Sequence, residues 1–103
     1  MVFVTTDGSR TSRKVTDAVL KSRLAACVNR VPGIVSQYWW KGKLEKAGEE
    51  LLIMKTIKTL VPALIKAVKG THPYTVPEII AVDIKKGNDD YIKWITKEAR
   101  GKK

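Results

Sequence analysis

The 103-residue chain has one cysteine, Cys27, one histidine, His72, and one phenylalanine. A single cysteine excludes an intrachain disulfide, which fits a reducing compartment. It also excludes the Cys-x-x-Cys pairs that mark structural zinc sites. No run reaches the roughly 18 apolar residues that a membrane-spanning helix needs, so no membrane partner is expected. The opening Met1-Val2-Phe3-Val4 carries no basic stretch and too short an apolar run for a signal peptide, which makes the cytoplasm the expected compartment. A phosphate loop, a Ser/His/Asp series and an RNA-recognition run are all missing.

Acidic residues are scarce as well. Ten Asp and Glu face 20 Lys and Arg, a net charge of +10. An excess of this size invites a nucleic-acid reading, but its distribution argues otherwise. Residues 1–30 carry six basic and two acidic groups, residues 31–60 five and three, and residues 61–103 nine and five. A spread excess describes solvated faces rather than a phosphate-binding stripe, and no specific nucleic-acid partner is expected.

Aromatic residues are plentiful for the length, with three Trp and three Tyr. Apolar residues at 44% and charged residues at 29% are those of a folded domain. The length predicts one domain, residues 1–103, with a modest core that self-association would enlarge. Only Ala99 to Lys103 reads as unstructured.

Val2 to Thr6 is β-branched and aromatic and reads as a strand, followed by turn and cap chemistry at Asp7-Gly8-Ser9. Val15, Ala18, Val19 and Ala26, with Ser22, recur at helical spacing over Thr11–Ala26. Cys27 to Lys41 reads as a strand interrupted at Pro32-Gly33, where proline demands a bulge or an edge. After a turn at Lys41-Gly42-Lys43, Leu44 to Thr56 returns as a second long strand. Thr59 is placed to cap a second helix with the stripe Val61, Leu64, Ile65 and Val68, ended by Gly70. Glu78 to Lys85 is apolar nearly throughout and reads as a central strand. Asn88 caps a third helix, with Tyr91, Trp94 and Ile95 facing inward. The order predicts an α+β, ferredoxin-like βαββαβ antiparallel sheet with an additional C-terminal helix.

Chemistry concentrates in few places. His72 alone reads as a loop histidine hydrogen-bonded to backbone. In company with Tyr74 and Glu78, on a loop stiffened by Pro73 and Pro77, it resembles a site, as a base or a metal ligand. Cys27 reads as a buried, inert thiol, with a reactive thiol, which needs a nearby cation or helix N-terminus, the alternative. Lys55 ends an apolar strand, as a snorkelling surface charge or an anion-binding group. Tyr38 and Trp40 share one strand face and Trp39 takes the other, so one face serves the core and the other an interface or pocket. The long hairpin edge predicts a homotrimer, anchored by Tyr38, Trp39 and Trp40, whose thermal stability depends on assembly.

These blocks together, Arg23-Leu24-Ala25-Ala26-Cys27-Val28-Asn29, Tyr38-Trp39-Trp40-Lys41-Gly42-Lys43, Met54-Lys55-Thr56, His72-Pro73-Tyr74-x-x-Pro77-Glu78 and Gly87-Asn88-x-x-Tyr91-x-x-Trp94, resemble the CutA family over nearly the whole chain. The resemblance implies a homotrimer of ferredoxin-like subunits, linked to tolerance of divalent metals and of copper above all, without enzymatic activity. It implies a weak Cu(II) site that includes His72, with Glu78 as a partner and Cys27 the least favoured ligand. No organic cofactor is expected. The architecture also resembles that of the PII signalling proteins, which implies as the alternative a cleft between subunits, formed by Lys55, Tyr74, Trp40, His72 and Glu78, that takes a small ligand such as an anion or metabolite.

Overall fold

The computed structural model describes residues 1–101; Lys102 and Lys103, part of the tail expected to be unstructured, lie outside the described residues. The elements run β1 (Val2–Thr6), α1 (Ser9–Lys21), β2 (Cys27–Trp40), β3 (Lys43–Lys55), a 3-10 turn (Lys58–Leu60), α2 (Val61–Thr71), β4 (Ile79–Ala81) and α3 (Asp89–Glu98). The sheet order is β2-β3-β1-β4, and every pairing is antiparallel. This is the expected ferredoxin-like arrangement with a helix added after the last strand.

The core lies between one face of the sheet and the helices. Val2 and Val4 of β1, Leu52 and Met54 of β3, Val15 and Val19 of α1, and Leu64 and Val68 of α2 form one cluster, sealed from solvent. In each strand these are alternate residues, and in each helix they stand four apart, so period two meets period 3.6 along one plane. Each such side chain contributes about 1.5–3 kcal/mol through burial.

Several local readings need correction. The first helix stops at Lys21, not Ala26, because Arg23 adopts a left-handed conformation with φ 56°. Its guanidinium then meets Glu98 of α3 at 3.0 Å. Thr59 does not cap α2; it lies inside the 3-10 turn, and α2 runs on past Gly70 to Thr71, with His72 as its C-cap. Asn88 does cap α3, its Oδ1 accepting the N–H groups of Asp90 at 2.9 Å and Tyr91 at 3.4 Å. Tyr91 and Trp94, expected inward, stack on each other with centroids 5.6 Å apart and stay partly exposed, while Ile95 is buried. Ala99 is buried and the Gly101 N–H donates to the Arg23 carbonyl at 2.9 Å, so the expected loose tail is tied down as far as Gly101.

The largest correction concerns β4. It is three residues long and sits at the sheet edge, with β1 and β3 central. One further pair extends it, the Met1 ammonium donating to the Val82 carbonyl and the Val82 N–H to the Met1 carbonyl. Of this apolar run, Ile79 packs on the core cluster, while Ile80 and Val82 remain exposed on the other side.

The β2–β3 hairpin reaches far beyond the core. Its ladder runs from Cys27↔Lys55 to Trp40↔Lys43, closed by a two-residue turn in which Lys41 (φ 50°) and Gly42 (φ 78°) are both left-handed. That turn matches the right-handed twist of the strands it joins. The projecting hairpin gives dimensions of 44 × 28 × 21 Å and a radius of gyration of 14.2 Å, against about 13 Å for a compact chain of this length.

At Pro32-Gly33 the expected bulge is present. Val31 pairs with Leu51 and Ile34 with Glu49, so Pro32 and Gly33 together oppose Glu50. Gly33 takes φ 75°, a conformation that favours glycine. The extra residue inverts the alternation of β2. Before it, Cys27, Asn29 and Val31 share a face with Lys55, Ile53 and Leu51; after it, Ile34, Ser36, Tyr38 and Trp40 share that same face with Glu49, Ala47, Glu45 and Lys43.

Candidate functional site

The face of the sheet turned away from the helices carries Thr5 of β1 and Glu49 of β3, and the chain after α2 folds back beside them. His72 fixes that return. It is 8% exposed, and its Nε2–H donates to the Thr5 carbonyl at 2.7 Å. Its Nδ1 accepts the Tyr74 N–H at 3.2 Å, and the rings of His72 and Tyr74 touch with centroids 4.7 Å apart. Both ring nitrogens are therefore engaged, in the tautomer protonated on Nε2. Ligation through either would first break a bond that holds the loop.

Tyr74, thus placed, donates its hydroxyl to Glu49 Oε2 at 2.9 Å. Partial burial, this hydrogen bond and the carboxylate charge hold its phenol well above the usual tyrosine range, so it remains a donor. Around this pair opens a cleft of about 680 Å³. Tyr38 and Trp40 from the hairpin form one wall, Pro73, Tyr74 and Val76 from the loop another, and Thr5 and Glu49 lie at the sheet, with Glu78 completing the lining.

Glu49 and its neighbour Glu50 show what the two faces do to identical side chains. Glu50 points to the helix side. Its Oε1 accepts from Ser12 Oγ at 2.7 Å and Arg30 Nε at 2.7 Å, and its Oε2 from Arg30 Nη2 at 2.9 Å. Thr6 Oγ1 lies 2.6 Å from Ser12 Oγ and extends the network. The Arg30 and Ser12 hydrogen bonds draw the Glu50 carboxyl down to about 2. Glu49 is equally buried, at 8% exposure, and has only the Tyr74 hydroxyl. The ion pairs of the described residues are Arg23–Glu98 and Arg30–Glu50; Glu49 is in neither.

The structure brings Trp40, Tyr74 and Glu78 to one cleft, with His72 as its support and not in its lining. Lys55 stands apart within the chain. It pairs with Cys27, six residues along β3 from Glu49, and donates its ammonium to Asn29 Oδ1. Cys27 is half-buried rather than buried, with Sγ 3.8 Å from Asn29 Oδ1. The Tyr91 phenol lies beside it and is raised by loss of water and by that thiol. Tyr38 and Trp40 line the cleft, whereas Trp39 points away and is 74% exposed. Among the described residues, no three or more His, Cys, Asp or Glu gather so as to hold a metal ion. No described helix is long and apolar enough to cross a membrane.

Sequence reasoning did not single out Glu49. The available signal was the pair Glu49-Glu50 entering an apolar strand: in a strand, one of two adjacent residues must face the core side.

The family model described as CutA1 divalent ion tolerance protein matches residues 1–98. Among curated proteins, the chain is 45% identical over 100 residues to the chloroplastic protein CutA 1 of Oryza sativa, covering 97% of the chain and 56% of that protein. It is 43% identical over 95 residues to the divalent-cation tolerance protein CutA of Thermus thermophilus, covering 92% of each. The chain thus spans about half the length of the plant relative and of the mouse protein CutA, of which it covers 52%. The solved divalent cation tolerance protein of T. thermophilus superposes with a TM-score of 0.92 at 42% identity, over 94% of each chain.

Proposed function

The chain belongs to the CutA1 divalent ion tolerance family, and from that premise we propose that it acts in tolerance of divalent cations as a homotrimeric binding protein, not an enzyme, through the cleft between its hairpin and the loop after α2. The charge of the cleft carries this reading. In a chain of net charge +10, the lining contains Glu49 and Glu78 and no Lys or Arg. Such a surface concentrates cations and repels anions. It therefore favours a metal cation over the anion of the alternative, PII-like reading.

Carboxylate and phenol oxygens suit hard divalent ions, whereas copper prefers nitrogen and sulfur. With the His72 nitrogens engaged, Cu(II) held here is held weakly and through Glu78 and Glu49 first. Trimer formation is supported by apolar surface that a lone chain leaves in water. Trp39, Val35 and Leu44 are exposed along the hairpin, and Ile80 and Val82 at the open edge beside β4. A closed ring of three removes such edges. The single cysteine supports work in a reducing compartment such as the cytoplasm.

Calorimetric titration of Cu(II) and Mn(II) into the wild type and Glu78→Gln tests the site, and light scattering tests the assembly. We expect weak binding that Glu78→Gln abolishes, and a mass three times the 11.5 kDa of one chain. Equal affinities in the two proteins would remove the cleft from the metal reading, and a monomer mass would remove the trimer.

A further inference from the structure

Glu49 is more than nine-tenths buried and meets no cation among the described residues of its own chain, whereas Glu50, equally buried, is fully paired. Burying a carboxylate without a counter-charge is costly, and such groups persist where something else supplies the charge. The Tyr74 hydroxyl meets Oε2 only. Oε1 has no hydrogen-bond partner among the described residues, yet it is not sealed from the cleft, since Arg23 Nε is the one side-chain polar atom found buried and unpartnered.

The space around this oxygen is larger than a bare ion fills. It is a cleft of about 680 Å³ walled by the rings of Tyr38, Trp40 and Tyr74 and by the apolar Val76. Aromatic faces attract ammonium groups through their quadrupole, and ligand pockets combine apolar walls with a few placed polar groups. The Trp40 ring already draws one ammonium, since Lys41 Nζ lies 5.9 Å from its centroid. A small hydrated metal ion would use the carboxylates and leave these walls in water.

We propose that the cleft is a binding site for a small organic cation, a primary ammonium with an apolar or aromatic body, whose N–H groups meet Glu49 Oε1 while its body lies against Trp40 and Tyr38. The inference rests on the reading of this cleft as the working site and names an occupant that the reading does not. The Tyr74 hydroxyl fixes Glu49 and leaves its second oxygen to accept from the ligand. Glu78 at the same lining adds a second negative charge.

Benzylammonium is the probe, and benzyl alcohol is its neutral counterpart of similar shape. Binding is read from tryptophan fluorescence and from indole shifts in NMR spectra of the wild type, Glu49→Gln and Trp40→Leu. Benzylammonium should bind the wild type at least roughly tenfold more tightly than benzyl alcohol, and Glu49→Gln should erase that preference, the loss expected for one charge-assisted hydrogen bond. Trp40→Leu, with its fold and assembly checked by circular dichroism and light scattering, should weaken benzylammonium by roughly threefold to tenfold. Equal binding of the two probes, or benzylammonium affinity unchanged in Glu49→Gln, would overturn the proposal. So would benzylammonium binding that Trp40→Leu leaves untouched. Metal titrations on the same proteins separate the two readings. Metal affinity that falls with Glu78→Gln while benzylammonium fails to bind leaves the cleft as a metal site and rejects only the organic cation. If neither ligand responds to either glutamate, both readings fall.

Discussion

Replacing Tyr74 by Phe tests whether the cleft is organised by a single hydrogen bond. The substitution keeps the ring beside His72 and removes only the hydroxyl that donates to Glu49 Oε2 at 2.9 Å. Glu49, at 8% exposure, is then left without a donor among the described residues. A hydrogen bond to a charged group contributes about 1.5–3 kcal/mol, and leaving its partner buried and unsatisfied costs a similar amount. Water entering the open cleft repairs part of this, so we expect a loss of about 1.5–2 kcal/mol. For a domain near 100 residues, that lowers the melting temperature by roughly 6–15 °C. Differential scanning calorimetry at neutral pH measures it. In the Glu49→Gln background the same substitution should cost less, because the uncharged amide is cheaper to leave unpaired. A double-mutant cycle should then show a coupling of about 1 kcal/mol. The hydroxyl also has an alkaline signature. Its folded pKa is raised, so the stability it brings is complete below the ordinary tyrosine value near 10 and is lost as pH climbs beyond it. Ultraviolet titration should show a late-ionising phenol in the wild type, besides the raised Tyr91, that disappears in Tyr74→Phe. An unchanged melt and an unchanged titration together would mean that Tyr74 and Glu49 do not hold each other in solution.

Glu50 predicts the opposite pH behaviour. Its carboxyl is depressed from 4.5 to about 2, so its stabilising effect is present above pH 4.5 and drains away as pH falls toward 2; Arg30→Met should flatten that part of the stability curve recorded by circular dichroism. Asn88→Ala removes the side chain that caps α3 and should cost about 1 kcal/mol in urea unfolding, with the midpoint moved and the slope unchanged.

Much of this architecture can be read from the chain because local rules and tertiary packing agree. Alternation places Tyr38 and Trp40 together and Trp39 opposite; Pro32-Gly33 announces a bulge; Asn88 announces a cap. The reading fails where a side chain's fate depends on a distant partner. Glu78 to Lys85 is apolar enough to be central, yet strand order is decided by which neighbours β1 accepts, and β4 receives the edge. Tyr91 and Trp94 have helical spacing toward the core, but Ile95 takes the buried position and the two rings settle against each other. Lys55 and Tyr74 look like partners in sequence motifs, whereas the register puts Lys55 roughly 20 Å along β3 from Glu49. His72 is legible as a backbone-bonded loop residue; that its two bonds reach Thr5 and Tyr74, and so aim the Tyr74 hydroxyl at Glu49, needs the fold.

The single extra residue at Pro32-Gly33 sets the phase of everything beyond it on β2. A strand has only two phases, and an extra residue that no bulge takes up switches between them for the rest of its length. The chemistry of the cleft is thus encoded twice: in the identities of Tyr38 and Trp40, and in a backbone irregularity roughly 20 Å away that touches neither. Losing one residue there would straighten the ladder and leave Tyr38 and Trp40 on the Glu49 face; a regular ladder that kept both residues would instead slip by one, present Trp39 on that face and turn Tyr38 and Trp40 to the helix side. In this fold, the left-handed Gly33 that lets the bulge take up the extra residue is as much a determinant of what the cleft can hold as the residues that line it.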